Sequence, residues 1–200
     1  VARRLELKES LFYAIEDKEL LLHYQPIVDL ESGNLTGVEA LVRWHHPKFG
    51  MLLPEKFIPL AKETGLIVDL SKWVLKQACK QARMWHEAGF KSLSMTINIS
   101  AIEFDQAKLI GHIEGVLAET GMPPELLELD IAESVLMQDA EMSVKILQSL
   151  KEIGVRIAID DFGIGYSSMS YLKHFPIDIL KIDRSLTHDI IVDSNSSEII

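Results

Sequence analysis

Val155-Arg156-Ile157-Ala158-Ile159-Asp160-Asp161-Phe162-Gly163-Ile164-Gly165 carries an apolar strand straight into two adjacent carboxylates and a glycine-rich turn. Side chains alternate between the two faces of a strand. Ile157, Ile159 and Asp161 are therefore expected on one face, and Ala158 and Asp160 on the other. Neighbouring aspartates repel each other unless a cation offsets them, and glycines let the backbone approach a ligand closely. The same letters also suit a plain turn, because Asp and Gly are common turn residues. The surrounding chain decides between a site and a turn.

Working back from this strand, helix and strand alternate. The periodicity predicts a helix from about Ala140 to Ile153, a strand from Leu126 to Ala132, a helix from about Lys108 to Thr120 and a strand from Leu93 to Ile99. A long helix from Leu70 to about Ala88 carries Trp73, Val74, Ala78, Ala82 and Trp85 at helical spacing, with Gly89 as its stop. Another helix starts near Pro54. Before it, strands Leu21 to Val28 and Leu35 to Trp44 flank the turn Glu31-Ser32-Gly33-Asn34, which makes an antiparallel hairpin. Residues 1 to about 20 read as an amphipathic helix with Leu5, Leu11, Phe12 and Ile15 near helical spacing. The chain opens mid-pattern without an N-cap, so residues 1–20 are expected to be a connector from an upstream domain. Forward of the strand, a short helix is expected around Ser167 to Leu172, then a strand from Ile179 to Ile182 and the polar run Asp193-Ser194-Asn195-Ser196-Ser197.

About six strands alternating with helices imply an α/β domain with a parallel sheet and helices outside it. A closed eight-stranded barrel takes about 250 residues. The 200 residues are thus expected to form a barrel lacking its last two strand–helix units, or an open sheet. The hydrophobic fraction of 48% and the charged fraction of 25% are those of a globular protein. No apolar run reaches the ~20 residues a membrane span needs, and Cys79 is the single cysteine, which fits a reducing, cytoplasmic setting. A membrane anchor elsewhere in a parent protein stays open. The net charge of −10 excludes a DNA or RNA polymer as the natural partner, but not a small phosphorylated ligand bound through metal ions.

Strand parity sharpens the site. Val38, Ala40 and Val42 oppose Glu39, Leu41 and Arg43; Ile97 and Ile99 oppose Asn98; Leu127, Leu129 and Ile131 oppose Glu128, Asp130 and Ala132; Ile159 opposes Asp160; Leu180 and Ile182 oppose Lys181 and Asp183. Each strand has one apolar face for the helices and one face bearing a charged or amide group, which in a barrel is the lumen or its mouth. Glu39, Asn98, Asp130, Asp160 and Lys181 then converge. The oxygen donors among them suit Mg²⁺ or Mn²⁺ rather than zinc, and several carboxylates cannot share a pocket without cations to offset them. Glu128 lies deeper and reads either as a buried pair with a cation or as a further metal ligand. His45 and His46 point opposite ways on a strand and are expected in surface or loop roles. Trp73 and Trp85 read as core anchors.

These residues resemble the EAL domain family, the cyclic di-GMP phosphodiesterases of bacterial signalling. The resemblance rests on Glu39-Ala40-Leu41 together with Gln25-Pro26-Ile27-Val28, Arg43-Trp44, Phe57-Ile58-Pro59-Leu60-Ala61, Asn98-Ile99-Ser100, Glu133-Ser134, Asp160-Asp161-Phe162-Gly163, Gly165-Tyr166-Ser167-Ser168 and Leu180-Lys181-Ile182-Asp183, in the family's order. It implies a modified (β/α)8, TIM-like barrel with one antiparallel strand, and an EAL phosphodiesterase domain over residues 21–200 that is C-terminally incomplete. It implies one metal ion held by Glu39, Asn98, Asp130 and Asp160, a second by Asp160 and Asp161, and a water positioned by Lys181. Gln25, Leu41, Arg43 and Asp183 would face cyclic di-GMP, which opens to linear pGpG. Glu133 would anchor the loop after Asp161, which in the family links the metal site to dimerisation; a homodimer is therefore expected, fused to upstream sensory or diguanylate-cyclase-like domains.

The chain departs from the family in three respects. Asp130 stands where the family usually has Glu, one methylene longer, and Mg²⁺ tolerates little error around ~2.0–2.1 Å. Ala132 and Ile164 stand where the family usually has Thr. The family's later glutamate and glutamine fall past Ile200. Two function classes follow from the resemblance: a metal-dependent phosphodiesterase, or a domain that binds cyclic di-GMP without cleaving it and acts as a sensor.

Overall fold

The computed structural model describes residues 2–104, 108–163 and 172–185. Among them the elements run α1 (Ala2–Ala14), β1 (Leu20–Val28), β2 (Leu35–His46), β3 (Gly50–Leu52), α2 (Pro54–Thr64), α3 (Ile67–Glu87), β4 (Ser94–Ile99), α4 (Ala101–Phe104), α5 (Leu109–Thr120), a single 3-10 turn, β5 (Leu127–Ala132), α6 (Glu133–Leu136), α7 (Ala140–Ile153), β6 (Arg156–Phe162) and β7 (Ile179–Ile182). The expected helix at 167–172, apart from Leu172, lies outside the described residues, as do Ile164 and the polar run at 193–197.

The strands form one sheet in the order β1-β2-β4-β5-β6-β7, with β3 pairing off β2. β1 runs antiparallel to β2, and every pairing from β2 through β7 along this order is parallel. This is an α/β sheet of barrel type with an antiparallel strand at its start, as expected, and the short β3 also runs antiparallel to β2. The count of six strands is one short. β3 is only three residues long, too short to carry a period, and is held against the end of β2 through the pairs Trp44↔Leu52 and His46↔Gly50.

Apolar side chains from the outer faces of the strands meet the helices in a continuous core. Ile97, Leu129, Ile131, Ile157 and Ile159 are all nearly or fully buried, and α3 and α7 add Leu75, Ala78 and Leu147. Local signals set the helix ends. Asp139 caps α7 by accepting from Met142 N at 3.0 Å, and Gly154 ends it in the left-handed region at φ 98°. Asp178, just before β7, accepts from Lys151 Nζ at 2.7 and 2.8 Å and from Ile157 N at 2.8 Å. That contact ties the end of α7 and the start of β6 to the approach to β7.

Three expectations change here. The amphipathic N-terminal helix ends at Ala14, and its buried stripe is Leu7, Leu11 and Ala14, whereas Leu5 and Phe12 are exposed. Positions i, i+4 and i+7 share one helical face, and α1 is pinned on that side because Arg4 and Lys8 both pair with Glu63 of α2. His46 is buried, not superficial: its Nδ1 accepts from Lys48 N and Phe49 N, and its ring packs between Trp44 and Phe49. His45 is exposed. Glu128 is a buried structural partner. It accepts from Thr96 Oγ1 at 3.0 Å and lies 3.8 Å from Arg156, and these three residues form one row across β4, β5 and β6. Trp73 and Trp85 pack against the core as expected.

The tightest strand approach lies at Gly37, the register partner of Ser94 where β2 meets β4. A Cβ there would collide with Ser94 Oγ and press on the Ser94 carbonyl at 3.3 Å. Gly37→Ala should therefore cost about 1–3 kcal/mol of stability, read from urea unfolding midpoints, and Ser94→Gly in the same chain should recover part of the loss. Equal midpoints for Gly37→Ala and the parent would show that β2 and β4 have room to separate.

Candidate active site

Five of the predicted site residues, Glu39, Asn98, Asp130, Asp160 and Lys181, lie one on each of the strands β2, β4, β5, β6 and β7. Asn98 and Asp130 are register partners across β4 and β5; Asp160 lies two register pairs beyond, opposite Ala132; Glu39 pairs with Thr96, two residues before Asn98 on β4. Asn98 Nδ2 donates to Glu39 Oε1 at 2.8 Å. Lys181 Nζ from β7 donates to Asp130 Oδ2 and lies 3.7 Å from Glu39 Oε2. Five strands thus deliver Glu39, Asn98, Asp130, Asp160 and Lys181 to one volume.

Their electrostatics confirm the crowding. Asp130 is 2% exposed. Burial pushes its carboxyl up to about 7; the Lys181 ammonium works against that rise, while Asp160 and Glu39 add to it. Burial alone would lower the Lys181 ammonium, but the hydrogen bond and charge of Asp130, with Glu39 and Asp160 behind it, leave it raised. Asp130 Oδ1 is buried without a hydrogen-bond partner among the described residues, an arrangement native interiors seldom leave unused.

Asp161 corrects the simple parity reading. Between the pairs Ile159↔Leu180 and Phe162↔Ile182, β6 has two residues, Asp160 and Asp161, against Lys181 alone on β7. The extra residue is a β-bulge, and Asp161 takes it up at φ 57°, a left-handed conformation that Asp tolerates better than most residues. The break in alternation matters because Asp161 does not follow Ile157 and Ile159 into the apolar face: it is exposed, and its carboxyl is raised by partial desolvation against the sheet and then by the charges of Asp160 and Asp183. Two carboxylates from one strand therefore sit beside the same volume.

The remaining residues spread around this centre. Gln25 faces Glu39 in the β1–β2 register. Leu41 and Arg43 follow Glu39 along its face of β2, and Arg43 Nη1 donates to the Val42 carbonyl at 2.9 Å. Asp183 follows β7 and accepts from the Ser185 amide and hydroxyl, which hold its carboxyl below the usual range. A cleft of about 400 Å³ opens beside them, with Glu39, Leu41 and Asn98 on one wall and Ile58, Lys62 and Leu70 of the helices on the other. Glu133 begins α6 and is buried, and its Oε2 has no hydrogen-bond partner among the described residues. Ala132 stands at the N-cap of α6 and gives no side-chain oxygen to it.

The sequence reading missed Ser100 and Glu103, which also line the cleft. Ser100 N and Oγ both donate to Glu103 Oε2, at 2.9 and 2.7 Å, fixing the chain just after Asn98. The Ser-x-x-Glu spacing was its signal, hidden because α4 is only four residues long.

As a donor set, two or three carboxylates and an amide suit a hard divalent ion, and the unpartnered Asp130 Oδ1 offers a free lone pair. Among the described residues, no three His, Cys, Asp or Glu side chains stand close enough together to hold an ion directly; the Lys181 ammonium stands between Asp130 and Glu39.

A parallel, barrel-type α/β sheet with an acidic strand-end cluster defines the class. The EAL domain family matches the chain over residues 8–200. The chain is 43% identical over 197 residues to the bifunctional diguanylate cyclase/cyclic di-GMP phosphodiesterase MucR of Pseudomonas aeruginosa, covering 98% of the chain and 29% of that protein. It is 48% identical over 196 residues to the signaling protein YkoW of Bacillus subtilis, covering 98% of the chain and 24% of that protein. The solved structure of the PaMucR phosphodiesterase in its c-di-GMP complex superposes with a TM-score of 0.93 at 43% identity, over 97% of this chain and 78% of that one. The chain belongs to the EAL domain family. It spans less than a third of either curated relative.

Lys181 and Asp130 make a testable pair. With divalent ions chelated, the folded protein holds the Asp130 proton more tightly than an unfolded aspartate, which titrates near ~4. The stability that Asp130 contributes is therefore complete below about pH 4 and is lost as the pH rises through about 7. Asp130→Asn should flatten that decline in urea midpoints measured in EDTA, and Lys181→Met should move the Asp130 carboxyl higher still by ¹³C NMR. An unchanged slope in Asp130→Asn would remove Asp130 as its source.

Proposed function

We propose that this domain hydrolyses cyclic di-GMP to linear pGpG in a divalent-metal-dependent reaction, within a longer bacterial signalling protein. The observation that carries the reading is the strand-end cluster of Glu39, Asn98, Asp130, Asp160 and Lys181, set in a fold 43% identical to a phosphodiesterase solved with c-di-GMP.

In this reading one Mg²⁺ or Mn²⁺ would be held by Glu39, Asn98, Asp130 and Asp160, and a second by Asp160 and Asp161. When bound, such ions supply Lewis-acid stabilisation of the charge that builds on the phosphoryl oxygens. The chain's own groups do the rest. Lys181 leaves its place against Asp130 to orient the attacking water, and its ammonium keeps that water's oxygen directed at phosphorus. The water oxygen bonds to phosphorus as the bond to one 3′-oxygen breaks; the water gives up a proton, the departing 3′-oxygen gains one to become a hydroxyl, and the ring opens. Arg43 exchanges its hold on the Val42 carbonyl for a phosphate, Leu41 packs against the dinucleotide, and Gln25 and Asp183 supply hydrogen-bonding groups at the rim. Glu133 anchors the segment after Asp161 and links the site to a homodimer. Residues 1–20 join the domain to an upstream sensory or diguanylate-cyclase-like unit, and the reaction takes place in the cytoplasm. Among the described residues, no helix is long and apolar enough to cross a membrane.

Incubation of the full-length protein with cyclic di-GMP and Mg²⁺ should yield pGpG by chromatography. Tight binding without pGpG after prolonged incubation would replace the enzyme by a cyclic di-GMP sensor.

Asp130 separates this reading from generic acidity. Asp130→Asn should weaken Mn²⁺ binding by at least about tenfold, as loss of a charged ligand does, and Asp130→Glu should preserve or raise turnover. Unchanged Mn²⁺ affinity in Asp130→Asn would take Asp130 out of the ligand set.

A further inference from the structure

Two clefts of about 540 and 410 Å³ adjoin along α3 and α5; the larger shares Glu103 with the cleft beside the strand-end cluster and none of the cluster's own residues lines either. Lys72, Gly111 and His112 line both, so they form one groove. Lys108 completes the cationic wall of the larger cleft, and Val68 and Leu109 give it an apolar one. On α5, Gly111 and Gly115 leave open space where a Cβ would stand, so a ligand can approach the helix backbone closely.

The charges here are poorly answered by the protein. Among the described residues Lys72 reaches only the exposed Asp69, at 3.9 Å. Lys108 makes no ion pair or side-chain hydrogen bond among the described residues. The imidazole of His112 is held below its usual range by burial and then by the Lys72 ammonium, which favours its neutral form. Glu103 also borders the larger cleft, but its carboxylate is engaged by Ser100. In a chain of net charge −10, Lys72 and Lys108 stand together on one groove with the His112 imidazole beside them. Glu103 borders one cleft and Glu119, paired with Lys76 at 2.8 Å, borders the other. Acids in both clefts disfavour a long polyanion or an acidic helix running along the groove, and a volume of this size is that of small-molecule sites.

We propose that the α3–α5 groove is a second ligand site that takes a compact phosphate-bearing anion between Lys72, Lys108 and His112. Phosphate oxygens accept from both ammonium groups and from the imidazole, and charge-assisted bonds of this kind are the strong ones. The apolar wall of Val68 and Leu109 accommodates a non-polar part of the same ligand. The proposal does not depend on the strand-end cluster being catalytic.

Inorganic pyrophosphate titrated into the full chain in excess EDTA tests it, by calorimetry and by NMR of the histidine side chains. The expected result is saturable binding that shifts the His112 imidazole signals. Lys72→Ala with Lys108→Ala should weaken it by about tenfold or more, Lys72→Arg with Lys108→Arg should retain it, and Lys181→Met should leave it unchanged. Absence of saturable binding, equal binding by the double alanine variant, or loss of binding in Lys181→Met would overturn the proposal. So would a poly-glutamate peptide that binds the groove and is not displaced by pyrophosphate, since that would assign it to an acidic protein segment.

Discussion

Repulsion between carboxylates gathered at one end of a parallel sheet is the constraint on which the site depends. Parallel strands all end on the same rim, so polar residues placed at their C-terminal ends become neighbours whatever their distance in sequence. Here Glu39 and Asp130 meet across 91 positions of chain, and Asp130 does so at 2% exposure. Water cannot screen charges held that deep, and neutralisation has to come from a cation or a proton. The structure uses both: Lys181 donates to Asp130, and the Asp130 carboxyl is still pushed up to about 7.

The rest of the fold makes that crowding possible. The apolar rows behind the cluster are fully buried: Leu129, Ile131, Ile157 and Ile159 show no exposure at all. They fix the register of β5 and β6, because a slip by one residue would turn Asp130 into the helix layer. Deeper in the sheet, Thr96, Glu128 and Arg156 satisfy one another in a row, so that polar layer is closed. The Asn98–Asp130 row above it is open, with Asp130 Oδ1 unpartnered. One polar row serves the interior of the protein, and the next faces a ligand.

Period and punctuation made most of this legible in the sequence. The strand–helix alternation, the antiparallel hairpin and α7 from Ala140 to Ile153 were readable because each element is long enough to show its repeat. Inner-facing parity put Glu39, Asn98, Asp130, Asp160 and Lys181 together before any contact was visible. What failed was short or irregular. β3 and α4, with three and four residues, carry no period. Counting apolar residues in α1 put Leu5 and Phe12 inside, because hydrophobicity alone does not say which stripe meets a partner; the Arg4 and Lys8 pairs to Glu63 decide it. His46 looked superficial beside Pro47, and only the turn that its Nδ1 closes explains its burial. Asp161 was the most instructive miss, because alternation holds only until a bulge breaks it.

Two features distinguish this cluster from a structural ion-pair network. A buried network that serves stability alone is favoured when every member is satisfied, since each unpaired buried polar atom costs free energy. The Glu128 row meets that standard, and the Asp130 row leaves an oxygen unused beside two further acids. The second feature is Asp161, a non-glycine residue in the left-handed region next to those acids. Such a conformation costs of order 1–3 kcal/mol and persists where surrounding structure holds it. An unsatisfied acceptor and a strained carboxylate, on neighbouring strands and both beside Asp160, are both unfavourable for the folded chain by itself. Their coincidence on one rim is accounted for when the groups answer to something the chain does not contain.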